Sequence, residues 1–230
     1  MQQADIKKLV ADKAVEYVQD GMTVGLGTGS TAYCVIEKLG EKVAAGLNIK
    51  AVASSKTSEE QARGLNIPII PFSEVAQIDL NIDGADEVDE LHNLIKGGGG
   101  ALLREKIIAY HSKKFIVVVD ESKLVERLGS FPLPVEIISF ALELTIRQIE
   151  ELGCNPVIRK KEGKQFTTDN GNLIVDCHFN RIEFPLTLNN QLHHIPGVVE
   201  TGLFLNTMVE TVLVGYSNGA VLVHQKGAGV

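Results

Sequence analysis

The stretch MTVGLGTGSTAYCVIEKLGEKVAA, residues 22–45, decides the fold. Met22 to Leu26 is a short apolar run of strand type that ends in a glycine turn, and Ala32 to Ala45 then carries its apolar residues at helical spacing. The same alternation runs on through Ile49 to Ala53, Ser58 to Arg63, Ile67 to Ile70, Leu80 to Ile82, Ala101 to Tyr110 and Phe115 to Val119. That is the rhythm of a mainly parallel sheet covered by helices. Ahead of it, Asp5 to Val18 places Ile6, Leu9, Val10, Ala14 and Val18 on one helical face, with Gly21 as a stop signal.

Beyond Asp120 the texture changes. FPLPVEI at Phe131 to Ile137 leads into a strand, a helix from about Ser139 to Leu152, and a strand at Pro156 to Lys160. A turn through Lys161 to Asn172, a strand at Leu173 to Phe179, a helix near Pro185 to His193 and a strand at Val198 to Leu205 complete a β-α-β-β-α-β order, the ferredoxin-like arrangement. Two further apolar strands, Val212 to Tyr216 and Ala220 to His224, are too few to form a domain and are expected to return to the first sheet. The expected class is therefore α/β: a Rossmann-like, mainly parallel sheet domain over residues 1–129 and 206–230, with an inserted ferredoxin-like α+β domain over 130–205.

Composition narrows the function. With 230 residues, 44% of them apolar, the chain can bury a sizeable core. Its formal net charge of -7 repels polyanions, and no basic patch offsets it, so no nucleic-acid partner is expected. No apolar run approaches the roughly 20 residues of a membrane span, and MQQADIKKLVADKAVEYV is charged throughout, which makes a cytoplasmic address the default. Cys34, Cys154 and Cys177 lack metal-ligand or disulfide spacing and read as buried reduced thiols, and adjacent His193 and His194 read as a surface pair. No metal is assigned.

Three glycine-bearing, charged turns carry the chemistry. In GLGTGST, Gly25 to Thr31, free backbone N–H groups and a helix dipole converge where glycine lets an anion approach, with Ser30 and Thr31 adding hydroxyls. The spacing is GxGxG, so neither the dinucleotide nor the Walker pattern fits, and a plain strand-to-helix turn capped by Ser30 is the structural alternative. Thr57 and Glu60 form a capping-box pair in SSKTSEEQA, so Ser54 to Thr57 reads as a helix cap in preference to a site, and Ser54 to Ser58 is assigned no further role. DGADEVDE puts Asp83, Asp86, Glu87, Asp89 and Glu90 at a strand end; Ala85 breaks calcium-loop spacing, and a solvated acidic turn is the alternative. In KGGGGALLREK, four consecutive glycines are costly in chain entropy, so something must approach that backbone. Lys96 stands at its mouth and Glu105 in the first turns of the next helix, where a surface charge beside Arg104 and Lys106 is the competing account.

Taken in this order, followed by VVVDESKLVERLG, FPLPVE and HHIPGVVETGLF, these motifs resemble ribose-5-phosphate isomerase of the A type over most of the chain. The resemblance implies interconversion of D-ribose 5-phosphate and D-ribulose 5-phosphate through an ene-diolate, in the non-oxidative branch of the pentose phosphate pathway. It also implies no cofactor, and a homodimer or a dimer of dimers. Carried over by position, it puts the catalytic base on Glu105, substrate-contacting carboxylates on Asp83 and Asp86, and lysines on Lys96 and Lys123. Backbone and hydroxyl contacts fall on Thr28, Gly29, Ser30 and Thr31, on Gly84 and Ala85 beside the aspartates, and on Gly97, Gly98 and Gly99. Either Asp83 or Asp86 would open the furanose ring. Two rivals remain: an amino-sugar phosphate deaminase or lactonase, and a sugar-phosphate sensor attached to a DNA-binding helix pair, for which the early first helix leaves no room.

Overall fold

The computed structural model describes residues 1–225, so the last five residues assigned above to the first domain lie outside the described residues. Two compact units divide the chain. Of the described residues, 1–85, 104–123 and 207–225 form the first, and 86–103 and 124–206 the second.

The first unit is built on a six-stranded sheet. Its strands are β1 (Thr23–Leu26), β2 (Lys50–Ala53), β3 (Ile78–Asp83) and β6 (Ser112–Asp120), followed by β14 (Thr211–Gly215) and β15 (Val221–Gln225). They lie in the order β15-β14-β6-β3-β1-β2, parallel except for β15. Strands covered on both faces need unbroken apolar sequence, and Phe115 to Val119 and Val212 to Val214 are buried without interruption. Helices α1 (Gln3–Val15), α2 (Ser30–Ala44) and α3 (Lys56–Gly64) supply Val10, Val35, Leu39 and Ala62 to one core with Val24, Leu26, Leu80 and Ile82 of the sheet. Helix α4 (Leu102–Tyr110) adds Ile108 to a smaller cluster with Val52 and Ile78. From β1 the chain moves outward to β2, then crosses back to place β3 on the other side of β1. The strand order therefore reverses between β1 and β3, and the carboxyl ends of such a pair are where open α/β sheets bind ligands.

The second unit holds a four-stranded antiparallel sheet of β7 (Leu133–Ile137), β8 (Asn155–Ile158), β11 (Leu173–His178) and β12 (Val198–Thr201), in the order β12-β7-β11-β8. With α5 (Leu142–Glu150) after β7 and α6 (Pro185–His193) after β11, this is the ferredoxin-like order 4-1-3-2. The fold is thus α/β, Rossmann-like with a ferredoxin-like α+β insertion. Ile149, Leu188 and Leu192 of the helices pack on Leu133, Val135, Ile137 and Val175. Two smaller sheets were not expected: β13-β5-β4, made of Leu203–Phe204, Leu94–Ile95 and Glu87–Val88, and a hairpin of β9 (Lys160–Lys161) and β10 (Lys164–Gln165).

Four local expectations fail for physical reasons. Ile67 to Ile70 makes only one bridge, Ala51 to Ile69, because Pro68 and Pro71 have no N–H for a ladder. The strand at Val198 to Leu205 breaks at Gly202, whose N–H goes to Pro134 and whose carbonyl takes the Lys96 N–H at 2.9 Å. Helix α3 is capped by Ser55, which accepts from the Ser58 N–H at 3.1 Å, and not by a Thr57–Glu60 pair. Nor does Ser30 cap α2, which begins at that residue with Gly29 as its N-cap.

Gly25 marks where α4 crosses the sheet: a Cβ there would stand 2.5 Å from Ile108 Cγ2 and 2.7 Å from Asn81 Oδ1. Gly25→Ala is expected to destabilise the protein by about 1–3 kcal/mol through overpacking. A urea midpoint lowered with unchanged slope is the measurement, and an unmoved midpoint would show that α4 yields freely.

Candidate active site

Asp83 ends β3 at the strand-order reversal and is 1% exposed. Its Oδ1 accepts the N–H groups of Thr28 (3.0 Å) and Gly84 (2.7 Å), tying the end of β3 to the turn after β1. A Cβ on Gly27 would meet that carboxylate at 2.0 Å, so this glycine makes room for an aspartate of the same chain. Gly29, by contrast, has φ +108° with open space where a Cβ would be. Gly29 to Thr31 therefore form the open part of the turn, at the α2 N-terminus where peptide dipoles favour negative charge.

Thr28 turns its hydroxyl inward, 2.7 Å from Ser54 Oγ and 2.9 Å from Ser55 Oγ, while Ser58 donates to the Gly27 carbonyl at 2.7 Å. All three serines are buried. Ser54 to Ser58 therefore braces the turn from behind. Sequence reading passed over Lys7, whose Nζ donates to Ser30 Oγ at 2.8 Å and brings a positive charge to the exposed hydroxyl. Its only signal was a charged position on an amphipathic helix, shared with Lys8 and Lys13.

Glu105 sits in the first turn of α4 and is 3% exposed, which removes the reading of it as a surface charge. Lys123 closes a 3-10 turn, Glu121–Lys123, directly after β6. That turn is fastened by Asp120, which accepts from the Ser122 N–H (3.0 Å), the Ser122 hydroxyl and Gln3 Nε2 (3.2 Å).

In the second unit the acidic run sorts itself by partner. Glu87 accepts the N–H groups of Gly129 (2.7 Å) and Phe131 (2.6 Å), and Asp89 accepts those of Leu91 and Asn93, so both are buried clamps of the backbone. Asp86 instead accepts the Gly98 N–H at 2.7 Å, bringing that aspartate and the glycine loop together. Lys96 is 2% exposed, with its ammonium 5.4 Å from the Phe204 ring centre, in cation–π range. The approach that four glycines imply is made largely by the chain itself: Cβ atoms would stand 2.9 Å from Leu102 at Gly97, 2.6 Å from Asp86 Oδ1 at Gly98 and 2.4 Å from the Phe166 ring at Gly100. Gly97 and Gly100 also need positive φ, +98° and +85°.

Outside these groups, Cys154 and Cys177 are buried free thiols, whereas Cys34 is only half-buried, and His193 and His194 are exposed. Among the described residues no helix is long and apolar enough to cross a membrane.

The family model of ribose 5-phosphate isomerase A (phosphoriboisomerase A) matches residues 50–219. Ribose-5-phosphate isomerase A of Bacillus mycoides (strain KBAB4) is 53% identical over 216 residues, covering 94% of this chain and 97% of that one. The solved ribose 5-phosphate isomerase A of Methanocaldococcus jannaschii superposes with a TM-score of 0.92 at 42% identity, over 98% of this chain and 100% of its own. A D-ribose-5-phosphate isomerase solved in complex with phospho-erythronic acid gives 0.94 at 40% identity, with the same coverage of both chains.

Burial pushes the Asp120 carboxyl up, but hydrogen bonds from Ser122 and Gln3 and the nearby charge of Lys123 outweigh it and hold the group below the usual carboxylate range. A folded value below the unfolded one gives stability that is present above about pH 4 and is lost as pH falls through the folded value. Asp120→Asn should lower the urea midpoint at pH 7, with the gap to wild type narrowing as the pH drops below about 4. A gap independent of pH would mean that the ionised carboxylate contributes nothing.

Proposed function

This chain belongs to the ribose 5-phosphate isomerase A family and interconverts ribose 5-phosphate and ribulose 5-phosphate, and on that premise we propose that Glu105 is the base carrying the proton between C1 and C2. The observation behind this is the burial of an acid in the first turn of α4, immediately after the glycine loop. An aldose becomes a ketose when a base takes the C2 proton, the C–H electrons form the C1–C2 double bond, and the C1 oxygen gains the charge. When the O2 hydroxyl proton passes to O1 and the base returns its proton to C1, the C1–C2 electrons move to C1, C2 becomes a carbonyl and the ketose results. One carboxylate can serve both carbons because adjacent sp2 carbons of a planar ene-diolate present the same face to it.

Lys96 and the N–H groups of Gly97 and Gly99 stabilise the oxygen on which charge develops, while Gly98 keeps its N–H on Asp86 and contacts the sugar through its backbone. Asp83 or Asp86 moves the hydroxyl protons and opens the furanose ring, with Gly84 and Ala85 contacting the sugar beside them. Gly29, Ser30 and Thr31 grip the phosphate at the α2 N-terminus, with Thr28 holding the turn and Lys7 and Lys123 supplying charge. Phospho-erythronic acid, bound by a solved relative, joins a phosphate to a planar carboxylate, a combination that resembles the ene-diolate. No metal or cofactor has a role in this scheme. The same reading treats 1–129 with 206–230 as the catalytic domain and 130–205 as the small domain. It also takes the enzyme as cytoplasmic and as a homodimer or dimer of dimers, for which exposed Phe140, Leu144, Phe184 and Leu186 offer apolar surface.

Glu105→Gln is nearly isosteric and should keep the fold and most substrate affinity, while kcat falls on the order of 10²–10⁴-fold, the usual worth of a positioned general base. In heavy water the wild type should wash deuterium into C1 or C2 of the sugar, and the variant should not. Near-normal turnover by the variant would remove Glu105 from the chemistry; full retention of the substrate hydrogen by wild type would argue for hydride transfer.

Replacing Ser30 and Thr31 together by alanine should raise KM by about 10-fold or more with kcat changed much less, because a phosphate far from the reacting carbons is held equally in ground and transition states. A collapse of kcat at constant KM would assign the turn to the other end of the sugar.

A further inference from the structure

We infer that Arg159 is a positioning residue of the isomerase reaction, fixing the peptide that joins Gly97 to Gly98 and, through it, the carboxylate of Asp86. This rests on the reading of Asp86 and the glycine loop as substrate contacts.

Arg159 directly follows β8, and its side chain is 13% exposed. Two of its nitrogens are committed to Asp176 on β11: Nε to Oδ2 at 2.9 Å and Nη2 to Oδ1 at 2.5 Å. This fork-to-fork pairing locks the guanidinium plane. The remaining nitrogen, Nη1, donates to the carbonyls of Gly97 (2.7 Å) and Gly98 (3.2 Å). The Gly97 carbonyl and the Gly98 N–H belong to one planar trans peptide and point in opposite directions. The N–H on the far side of that plane is the one that Asp86 Oδ2 accepts at 2.7 Å. A cation on the oxygen draws electron density through the amide and strengthens its N–H as a donor. Arg159 thus sets both the tilt of the peptide and the seat of the aspartate.

Without such a tether, a run of four glycines is the segment with the most conformational freedom to lose. The backbone of Arg159 also takes part, since its carbonyl accepts the Phe166 N–H at 2.9 Å, and the Phe166 ring fills the space beside Gly100. Lysine could not replace the arginine, because one ammonium has no planar fork to hold a carboxylate while also serving two carbonyls.

The test is a double-mutant cycle on the full-length enzyme. Arg159→Ala should fold, keep KM within about 3-fold and lose about 10- to 10²-fold in kcat, the scale of a misplacement of roughly 1 Å. On an Asp86→Asn background the same change should cost little more, and millimolar guanidinium should restore part of the lost rate in Arg159→Ala but not in the double variant. Wild-type kcat in Arg159→Ala, or losses that multiply in the double variant, would overturn the inference while leaving the role of Asp86 standing. Wild-type kcat in Asp86→Asn would sink the underlying reading, and the inference with it. If Arg159→Ala fails to fold, Asp176→Asn, which loosens the fork at constant shape, should show the same kcat loss and the same absorption by Asp86→Asn; an unaltered kcat there overturns the inference.

Discussion

A single buried carboxylate at the end of β3 sets the geometry of the carboxyl edge of the first unit's sheet. Asp83 takes the N–H groups of Thr28 and Gly84 on one oxygen and fills the space that Gly27 leaves empty. The turn after β1 is thereby pinned to the neighbouring strand, and α2 starts where its N-terminal peptides face outward at Gly29 to Thr31. Ser54, Ser55 and Ser58 complete the support from the third strand end. Turn, aspartate and serines come from three successive strands, and all three depend on β1 lying between β2 and β3.

The second unit shows how similar residues acquire different work from their partners. Glu87 and Asp89 spend their oxygens on backbone N–H groups of their own neighbourhood. Asp86 reaches one glycine N–H across a tight loop. Lys96 is buried against an aromatic face, an environment in which a cation interacts strongly because little water competes with it. The loop between these groups is shaped by side chains that would collide with any residue larger than glycine at three of its positions.

Much of this was legible in the sequence, since apolar runs such as Phe115 to Val119 and helical faces such as Val35 and Leu39 report burial directly. The order of the inserted sheet followed from element order alone. Two-residue strands such as Glu87–Val88 and Leu94–Ile95 were invisible, being too short to display alternation. The break at Gly202 was equally hidden, because it depends on a partner strand distant in sequence. Among candidate site residues, the resemblance singled out Asp83, Asp86, Lys96 and Glu105, whereas residue type and spacing alone do not separate Asp86 from Glu87. That distinction lies in which N–H groups fold back on each acid, and a linear pattern does not carry it. Lys7 and Arg159 escaped notice for the same reason: each is an ordinary charge until the chain brings it beside Ser30 or Gly97.

The place of β14 in the first sheet bears on how the protein is made. This strand lies between β6 and β15 and pairs in parallel with β6 from Thr211↔Ile116 to Gly215↔Asp120. A ribosome finishes β6 before it has made any of residues 124–206, so one edge of β6 must wait, unpaired, while nearly the whole second unit emerges. Parallel pairing across so long a separation is slow, and an open apolar edge is a template for wrong partners. The nascent chain is consequently most prone to aggregate in this interval, and its inserted unit, whose strands are adjacent in sequence, is able to form first.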